Sequence, residues 1–347
     1  MEIEESAISQ SKDFLGQLDT LDGYRRYFTD AGHWRPYVQL VCSRHLQTPC
    51  RVIRSGLPGT CPTFIVDERW VVKFFGRLFD GALGFDTELQ VNRLLMASRP
   101  VPVPDLIASG CLLEGTADWP WPYLIYEFIP SVSIGEVYEQ VTFDDKLKLA
   151  QDLGEITRRL HALPITNTTI FQAIWDAYLN LLQVQHSRCI TTHQTWNNLP
   201  ARLIEQIDTF LLPIDLLVDR NATPHLIHAD LTRDHILGRL EGGSWVTLGI
   251  IDFGDAMVGN IFYELVALHL DLFRCSKRLL RVYLDAYGLD GPSRQMFPEK
   301  AMSLTLLHRF NVLVDVLSGT YPQIDDVVTL DQLATLLWDV NAPGLDD

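Results

Sequence analysis

The spacing of apolar positions changes character twice along the chain. Up to about residue 47 they recur three and four apart, in Ser9 to Leu21 and Tyr37 to Leu46, which predicts helices. From Cys50 to Pro130 the pattern shortens to strand-length apolar runs. These are Cys50 to Ser55, Thr63 to Val66, Trp70-Val-Val-Lys-Phe-Phe75 and Trp119-Pro-Trp-Pro-Tyr-Leu-Ile-Tyr-Glu-Phe-Ile-Pro130. One amphipathic helix, Phe85 to Met96, interrupts them and ends at Pro100-Val-Pro-Val-Pro104. Beyond residue 130 helical spacing returns. Leu147, Leu149, Leu153, Ile156 and Leu160 share one face of a helix over 144–163. Further helices are expected over Ile170 to Val184, Ala201 to Leu212, Phe262 to Phe273, 276–288, 298–317 and 329–338, with a break at Asn197-Asn-Leu-Pro200. The pattern therefore separates a small sheet-based region from a larger helical one.

The helical region contains one exception. His225-Leu-Ile-His-Ala-Asp-Leu-Thr-Arg-Asp-His235 and Leu248-Gly-Ile-Ile-Asp-Phe-Gly-Asp255 each join a short apolar run to a charged loop, with Gly242-Gly243 suited to a hairpin turn between them. This predicts Asp230 and Asp252 at the ends of neighbouring strands facing one cleft. Two such carboxylates suit phosphoryl transfer: one orients a hydroxyl and takes its proton, the other holds magnesium across nucleotide phosphates.

Lys73 stands inside Val-Val-Lys-Phe-Phe, where a buried strand is otherwise apolar. Burying an ammonium group costs several kcal/mol (~3–5) unless it meets an anion, and a nucleotide phosphate is a suitable one. An edge-strand lysine turned to solvent is the alternative. The loop Ser55 to Pro62 contains glycines that let amides approach phosphate, or forms an ordinary hairpin turn; no Walker sequence follows it.

Composition narrows the classes. The 347 residues are long enough for two lobes, and 47 % hydrophobic with 21 % charged residues describes a globular protein. No apolar run is long enough to span a bilayer, and the acidic N-terminus lacks a signal-peptide layout. Six scattered cysteines without a Cys-x-x-Cys pair read as reduced core residues of a cytoplasmic protein. A net charge of −16 disfavours nucleic acid and suits a cationic ligand.

His228-Ala-Asp230 followed by Ile251-Asp-Phe-Gly254 resembles the catalytic and metal loops of protein-kinase-like enzymes, and more narrowly the aminoglycoside phosphotransferases. The likeness extends over Val71 to Gly76, Pro100 to Pro104, Gly115 to Leu124, Leu153 to His161, Tyr263 to Phe273 and Leu336 to Trp338. In appearance it comes nearest the hygromycin B phosphotransferase branch. The resemblance implies an α+β bilobal fold: a small antiparallel-sheet N-lobe with a helical cap (1–127) and a larger, mainly helical C-lobe (128–347).

It further implies ATP, with GTP as alternative, and Mg2+ as cofactors. Lys73 binds the phosphates and Glu88 orients Lys73, with Asp86 as competitor. Backbone groups of Glu127, Phe128 and Ile129 bind the adenine edge, with Tyr126 packed nearby. Asp230 is the catalytic base and Asp252 the metal ligand. Arg233 either neutralises the transferred phosphoryl group or pairs with Asp234. Asp255, Glu264 and Asp271 are candidate contacts for a cationic or sugar-bearing acceptor. His161 reads as a helix-end residue favoured by partial positive charge, and His269 as a core residue.

One position departs from the pattern. The family's Asn, five residues after the catalytic Asp, is His235 here, an imidazole where magnesium prefers oxygen. The implied function is γ-phosphate transfer to a hydroxyl of an aminoglycoside-like antibiotic. The alternatives are a macrolide, nucleoside or metabolite kinase, or a nucleotide-binding pseudokinase.

Overall fold

The computed structural model describes residues 14–46, 49–99, 101–113, 119–165, 170–289, 291, 294–318 and 321–343. Residues 9–13 of the first expected helix, Pro100, and residues 115–118 of the Gly115 to Leu124 stretch lie outside the described residues.

By internal packing the chain divides into two units: residues 1–131 with 248–254, and 132–247 with 255–347. The boundary falls slightly after the expected 127/128, and the metal-loop stretch returns to the first unit. Its backbone explains why: the Ile250 N–H donates to the Pro102 carbonyl at 2.8 Å.

In the first unit, five strands form an antiparallel sheet in the order β1-β2-β3-β5-β4. They are β1 (Ile53–Ser55), β2 (Thr63–Val66), β3 (Trp70–Phe74), β4 (Leu106–Cys111) and β5 (Pro122–Glu127). Strand alternation sorts the side chains onto two faces. Phe64, Val72, Phe74, Tyr123 and Ile125 join one core, into which helix α2 (Ala31–His45) drives Trp34, its ring 4.7 Å from that of Phe74. Helix α1 (Leu21–Tyr27) precedes it, capped by the Thr20 hydroxyl. On the other face, Leu124 and Tyr126 pack with Phe75, Phe85 and Leu89, the last two from helix α3 (Gly81–Ser98). Lys73, between Val72 and Phe74 and opposite Leu124 in register, falls on this second face.

The second unit holds α4 (Phe143–His161), α5 (Asp176–Trp196), α6 (Ile261–Ala267), α7 (Lys277–Tyr287), α8 (Phe297–Leu306) and α9 (Leu330–Trp338). Gly154 lets α4 and α7 approach closely; a Cβ there would lie 2.5 Å from the Tyr283 carbonyl oxygen. The expected Ala201–Leu212 helix is broken into two short ones, Ala201–Ile204 and Ile207–Phe210, and three other helices depart from the expected bounds. The Ile170–Val184 helix begins at Asp176 and runs to Trp196, where Asn197 in left-handed backbone stops it. The 262–273 helix widens into a π turn over Leu268–Leu272. The 298–317 helix stops at Leu306, leaving 307–313 as irregular chain.

Strand β7 (His225–Ile227) pairs antiparallel with β10 (Met257–Gly259). A separate three-stranded sheet orders β6 (Val132–Ser133), β8 (Ile236–Glu241) and β9 (Ser244–Ile250). Gly242 and Gly243, at φ 60° and 91°, make the expected hairpin between β8 and β9. The strands preceding Asp230 and Asp252 are thus not sheet neighbours, as the sequence had implied: β7 pairs with β10, and β9 belongs to the other sheet.

Candidate active site

In the first unit the chemistry gathers on Lys73. Its Nζ donates to Glu88 Oε2 at 2.7 Å and to Asp252 Oδ1 at 2.8 Å, and the lysine is only 7 % exposed. Desolvation alone would lower the ammonium pKa. The Asp252 and Glu88 carboxylates outweigh it, and Lys73 stays protonated, well above its usual range. Glu88 is buried on α3, and burial pushes its carboxyl up while Lys73 pulls it down. Its second oxygen accepts the Tyr126 hydroxyl at 2.8 Å, and Asn92, one turn along α3, donates to the Glu88 carbonyl and to the Tyr126 oxygen. The competitor Asp86 is exposed.

Asp252 sits at φ 65°, a left-handed conformation unfavourable for a side chain with Cβ. Its side chain keeps 38 % exposure, against 3 % for Glu88. Asp252 is thus the open member of the triad. Gly254 lies against both carboxylates: a Cβ there would stand in ordinary contact, 3.5 Å from Asp252 Oδ1 and 3.4 Å from Glu88 Oε2.

The linker is more committed than expected. The Glu127 N–H donates to Asp105 O and the Phe128 N–H to Arg69 O, each at 2.9 Å, so neither amide can donate to a base. The Phe128 ring lies under the Arg54 guanidinium at 5.6 Å. The Ile129 carbonyl accepts the Ser131 hydroxyl. Tyr126, read as an adenine neighbour, gives its hydroxyl to Glu88.

The second unit holds the His228–His235 loop. Ala229, at φ 65°, turns the chain just before Asp230, and its N–H donates to Glu264 Oε2 at 2.7 Å. Glu264 is 0 % exposed, with a carboxyl raised to about 7, first by burial. It cannot touch a substrate; it holds the loop, which corrects its reading as an acceptor contact. The Asp230 N–H donates to His228 Nδ1 at 3.3 Å. His235 Nδ1 lies 2.7 Å from the Asp230 carbonyl oxygen and 3.8 Å from Asp230 Oδ2. A carbonyl only accepts, so Nδ1 carries a proton. His235 also stacks on His228, centroids 5.7 Å apart.

Arg233 pairs with Asp271, not with Asp234: its N–H donates to Oδ2 at 2.7 Å and Nε lies 3.5 Å from Oδ1. Asp255 is engaged by Arg309, whose Nη2 donates to the Asp255 carbonyl at 2.7 Å and to Oδ1 at 2.9 Å. The chain that carries Arg309 is anchored nearby, since its N–H donates to Tyr263 Oη and His308 packs on the Tyr263 ring at 4.7 Å. His161, expected to favour positive charge, is buried and held neutral by desolvation and by stacked His225, at 5.2 Å. His269 Nε2 bonds the Leu337 carbonyl, as a core residue should.

Sequence reading missed Arg309, His308, Asn92 and the role of Tyr126. Asn92 carried a signal, a polar side chain four residues after Glu88 on a helix face. Arg309 carried none, because the expected helix through 298–317 hid the irregular chain that aims it at Asp255.

Among the described residues, no helix is long and apolar enough to cross a membrane, and no three His, Cys, Asp or Glu side chains cluster as a metal site. For magnesium, the partly exposed Asp252 carboxylate is a fitting hard-oxygen ligand, whereas the His235 imidazole is a poor one.

Similar proteins share the fold. The GDP and kanamycin complex of an aminoglycoside 2"-phosphotransferase superposes with a TM-score of 0.61 at 22 % identity, covering 86 % of this chain and 95 % of that one. The GDP complex of an aminoglycoside 2'-phosphotransferase-IIIa gives 0.59 at 20 %, covering 84 % and 93 %. A microcompartment-associated aminopropanol kinase gives 0.55 at 15 %, covering 87 % and 93 %. Among curated proteins, the lysine-specific demethylase JMJ21 of Arabidopsis thaliana is 23 % identical over 290 residues. That match takes in 68 % of this chain but only 30 % of the much longer plant protein. Residues 60–297, well over half the sequence, match the APH phosphotransferase enzyme family, and the chain belongs to that family of phosphotransferases acting on an alcohol group.

Proposed function

We propose that this protein transfers the γ-phosphate of ATP, or of GTP, to a hydroxyl of a small molecule in the cytoplasm. The observation that carries the reading is the buried Lys73, held between Glu88 and the half-open Asp252. A strand lysine kept charged against its burial is prepared for phosphate oxygens, and Glu88 fixes its direction. Asp230 takes the acceptor's proton as the oxygen attacks. Its loop is braced by Glu264 through Ala229 and by His235 through the Asp230 carbonyl. Asp252 would hold Mg2+, which supplies charge neutralisation on the phosphates when bound. The Ile129 amide remains the candidate adenine donor, with the Glu127 and Phe128 amides withdrawn from that role.

A hygromycin B-type acceptor would need carboxylates open to its ammonium groups. Glu264 is buried, and Asp255 and Asp271 already have arginine partners, so the geometry favours this acceptor less than the resemblance does. A second reading, nucleotide binding without turnover, rests on His235 in the place of the second oxygen ligand. Nucleoside diphosphate release from ATP and GTP, with and without Mg2+ and across aminoglycosides, macrolides, nucleosides and simple hydroxy compounds, separates the readings. Acceptor-stimulated release that is lost in Asp230→Asn supports transfer. Nucleotide binding with release equal in both chains supports the second reading.

A further inference from the structure

The carboxylates that sequence offers to a cationic acceptor are spent within the second unit. Glu264 has no exposed surface and serves the Ala229 amide. Asp271 is held by Arg233, and Asp255 by Arg309. The arginines are less fully used. A guanidinium has five N–H donors. Arg309 gives Asp255 a single nitrogen, Nη2, while its Nε is buried with no hydrogen-bond partner among the described residues. Its side chain is 27 % exposed and lies over the Phe310 ring at 4.8 Å, which fixes the plane of the fork. Arg233 turns its Nε towards Asp271 at 3.5 Å, beside the bond from its backbone N–H, with 29 % of its side chain exposed. Tyr263 and the His308–Arg309 segment tie this fork to α6, the helix whose Glu264 braces the Asp230 loop. The second unit therefore offers fixed donors at Arg233 and Arg309 rather than carboxylates without partners.

We propose that Arg309, oriented by Asp255, selects the acceptor, and that the acceptor carries an anionic group, a carboxylate or a phosphate, beside the hydroxyl that is phosphorylated. The proposal rests on the phosphotransferase reading for which hydroxyl reacts, and on the geometry alone for the charge that binds. With Nη2 given to Asp255 and Nε buried, Nη1 is the nitrogen left to offer such an anion a charge-assisted hydrogen bond. An ammonium group would have to displace Arg309 from Asp255 and leave a partly buried cation unpaired.

The test uses compounds with one three-carbon skeleton and different charge: glycerate, glycerol 3-phosphate, glycerol and 3-amino-1,2-propanediol. Their binding to the full chain is measured by saturation-transfer NMR in the presence of ADP and Mg2+. Turnover with ATP and GTP is followed in parallel. At least one anionic compound should bind about tenfold tighter than the amine, the effect of one charge-assisted pair. Arg309→Ala should bring that ratio near one, Arg309→Glu should invert it, and Arg309→Lys should keep part of it. Whether glycerate or glycerol 3-phosphate binds tighter identifies the anion. Equal or tighter binding of the amine, binding of none of the four, or a ratio unchanged in Arg309→Ala overturns the proposal. If Arg309→Ala does not fold, the wild-type ranking and its partial retention in Arg309→Lys decide. An anion preference without turnover of any compound would leave the anion site standing and count against the phosphotransferase reading, whereas turnover of the amine alone would do the reverse.

Discussion

The two units handle charge in opposite ways. In the first unit one cation serves two carboxylates: Lys73 lies between Glu88 and Asp252, and Glu88 is further held by Tyr126. In the second unit two carboxylates each have their own arginine, Asp271 with Arg233 and Asp255 with Arg309. The first arrangement is a buried network in which any removal strands a charge. The second is a pair of half-exposed contacts that solvent partly screens. The first leaves the Asp252 carboxylate, 38 % exposed, as the group open to a cation. The second is built to present donors.

The largest effect expected lies outside both networks. Asp230→Asn keeps the shape of the loop but removes the base, and turnover should fall by about 10²–10⁴ with nucleotide binding retained. Loss of binding instead would give Asp230 a structural role.

Lys73→Met tests the shared network. It leaves Glu88 buried without its cation and should cost about 3–5 kcal/mol in denaturant unfolding, together with nucleotide affinity. A double-mutant cycle sharpens the contrast. Lys73→Met and Glu88→Gln should couple by about 0.5–3 kcal/mol, while Arg233→Ala and Arg309→Ala should add independently. Additivity in the first pair would remove the difference between the halves.

Glu264 gives a pH signature. Its folded-state pKa, about 7, lies above the ordinary 4.5. The folded chain therefore binds a proton that the unfolded chain releases, and this contribution to stability is lost as pH rises from 4.5 through 7. The span corresponds to about 3 kcal/mol. Glu264→Gln, which can still accept the Ala229 N–H, should flatten the dependence in that window. Glu264→Ala should destabilise by about 1–3 kcal/mol at every pH by orphaning the amide. An unchanged pH slope in Glu264→Gln would mean that another group carries it.

The smallest effect expected is at His235. His235→Asn restores an oxygen donor and should tighten Mg2+ binding relative to Mn2+ severalfold, measured by competition calorimetry. An unchanged metal ratio would take His235 out of the metal site and leave it as a brace for the Asp230 carbonyl.

How much of this was legible follows from where each constraint comes from. Lys73 was legible because a charge in an apolar strand needs a reason that the strand itself states. Asp230 and Asp252 were legible as motifs, because the loop chemistry is written in consecutive residues. The strands were legible as short apolar runs, and their antiparallel sheet as what the family resemblance implies. The partners that set the acceptor side were not legible. Arg309 meets Asp255 across 54 positions, and Glu264 meets Ala229 across 35, in contacts that depend on where helices stop. Helix periodicity continued past Leu306 in the sequence reading, yet the chain there turns irregular. Acidic residues read from sequence as open ligands were consequently assigned to a substrate when their partners lay elsewhere in the chain. The glycines at 242 and 243 were legible as a turn, but the pairing of β7 with β10 and of β8 with β6, more than a hundred residues earlier, was not.

The most direct test of the central claim is Mg2+-dependent release of ADP or GDP by the full chain, compared with Asp252→Ala and Asp230→Asn, over acceptors of every charge class. The account predicts release stimulated by at least one hydroxyl compound and abolished in both variants. Stimulated release that survives in both would contradict it.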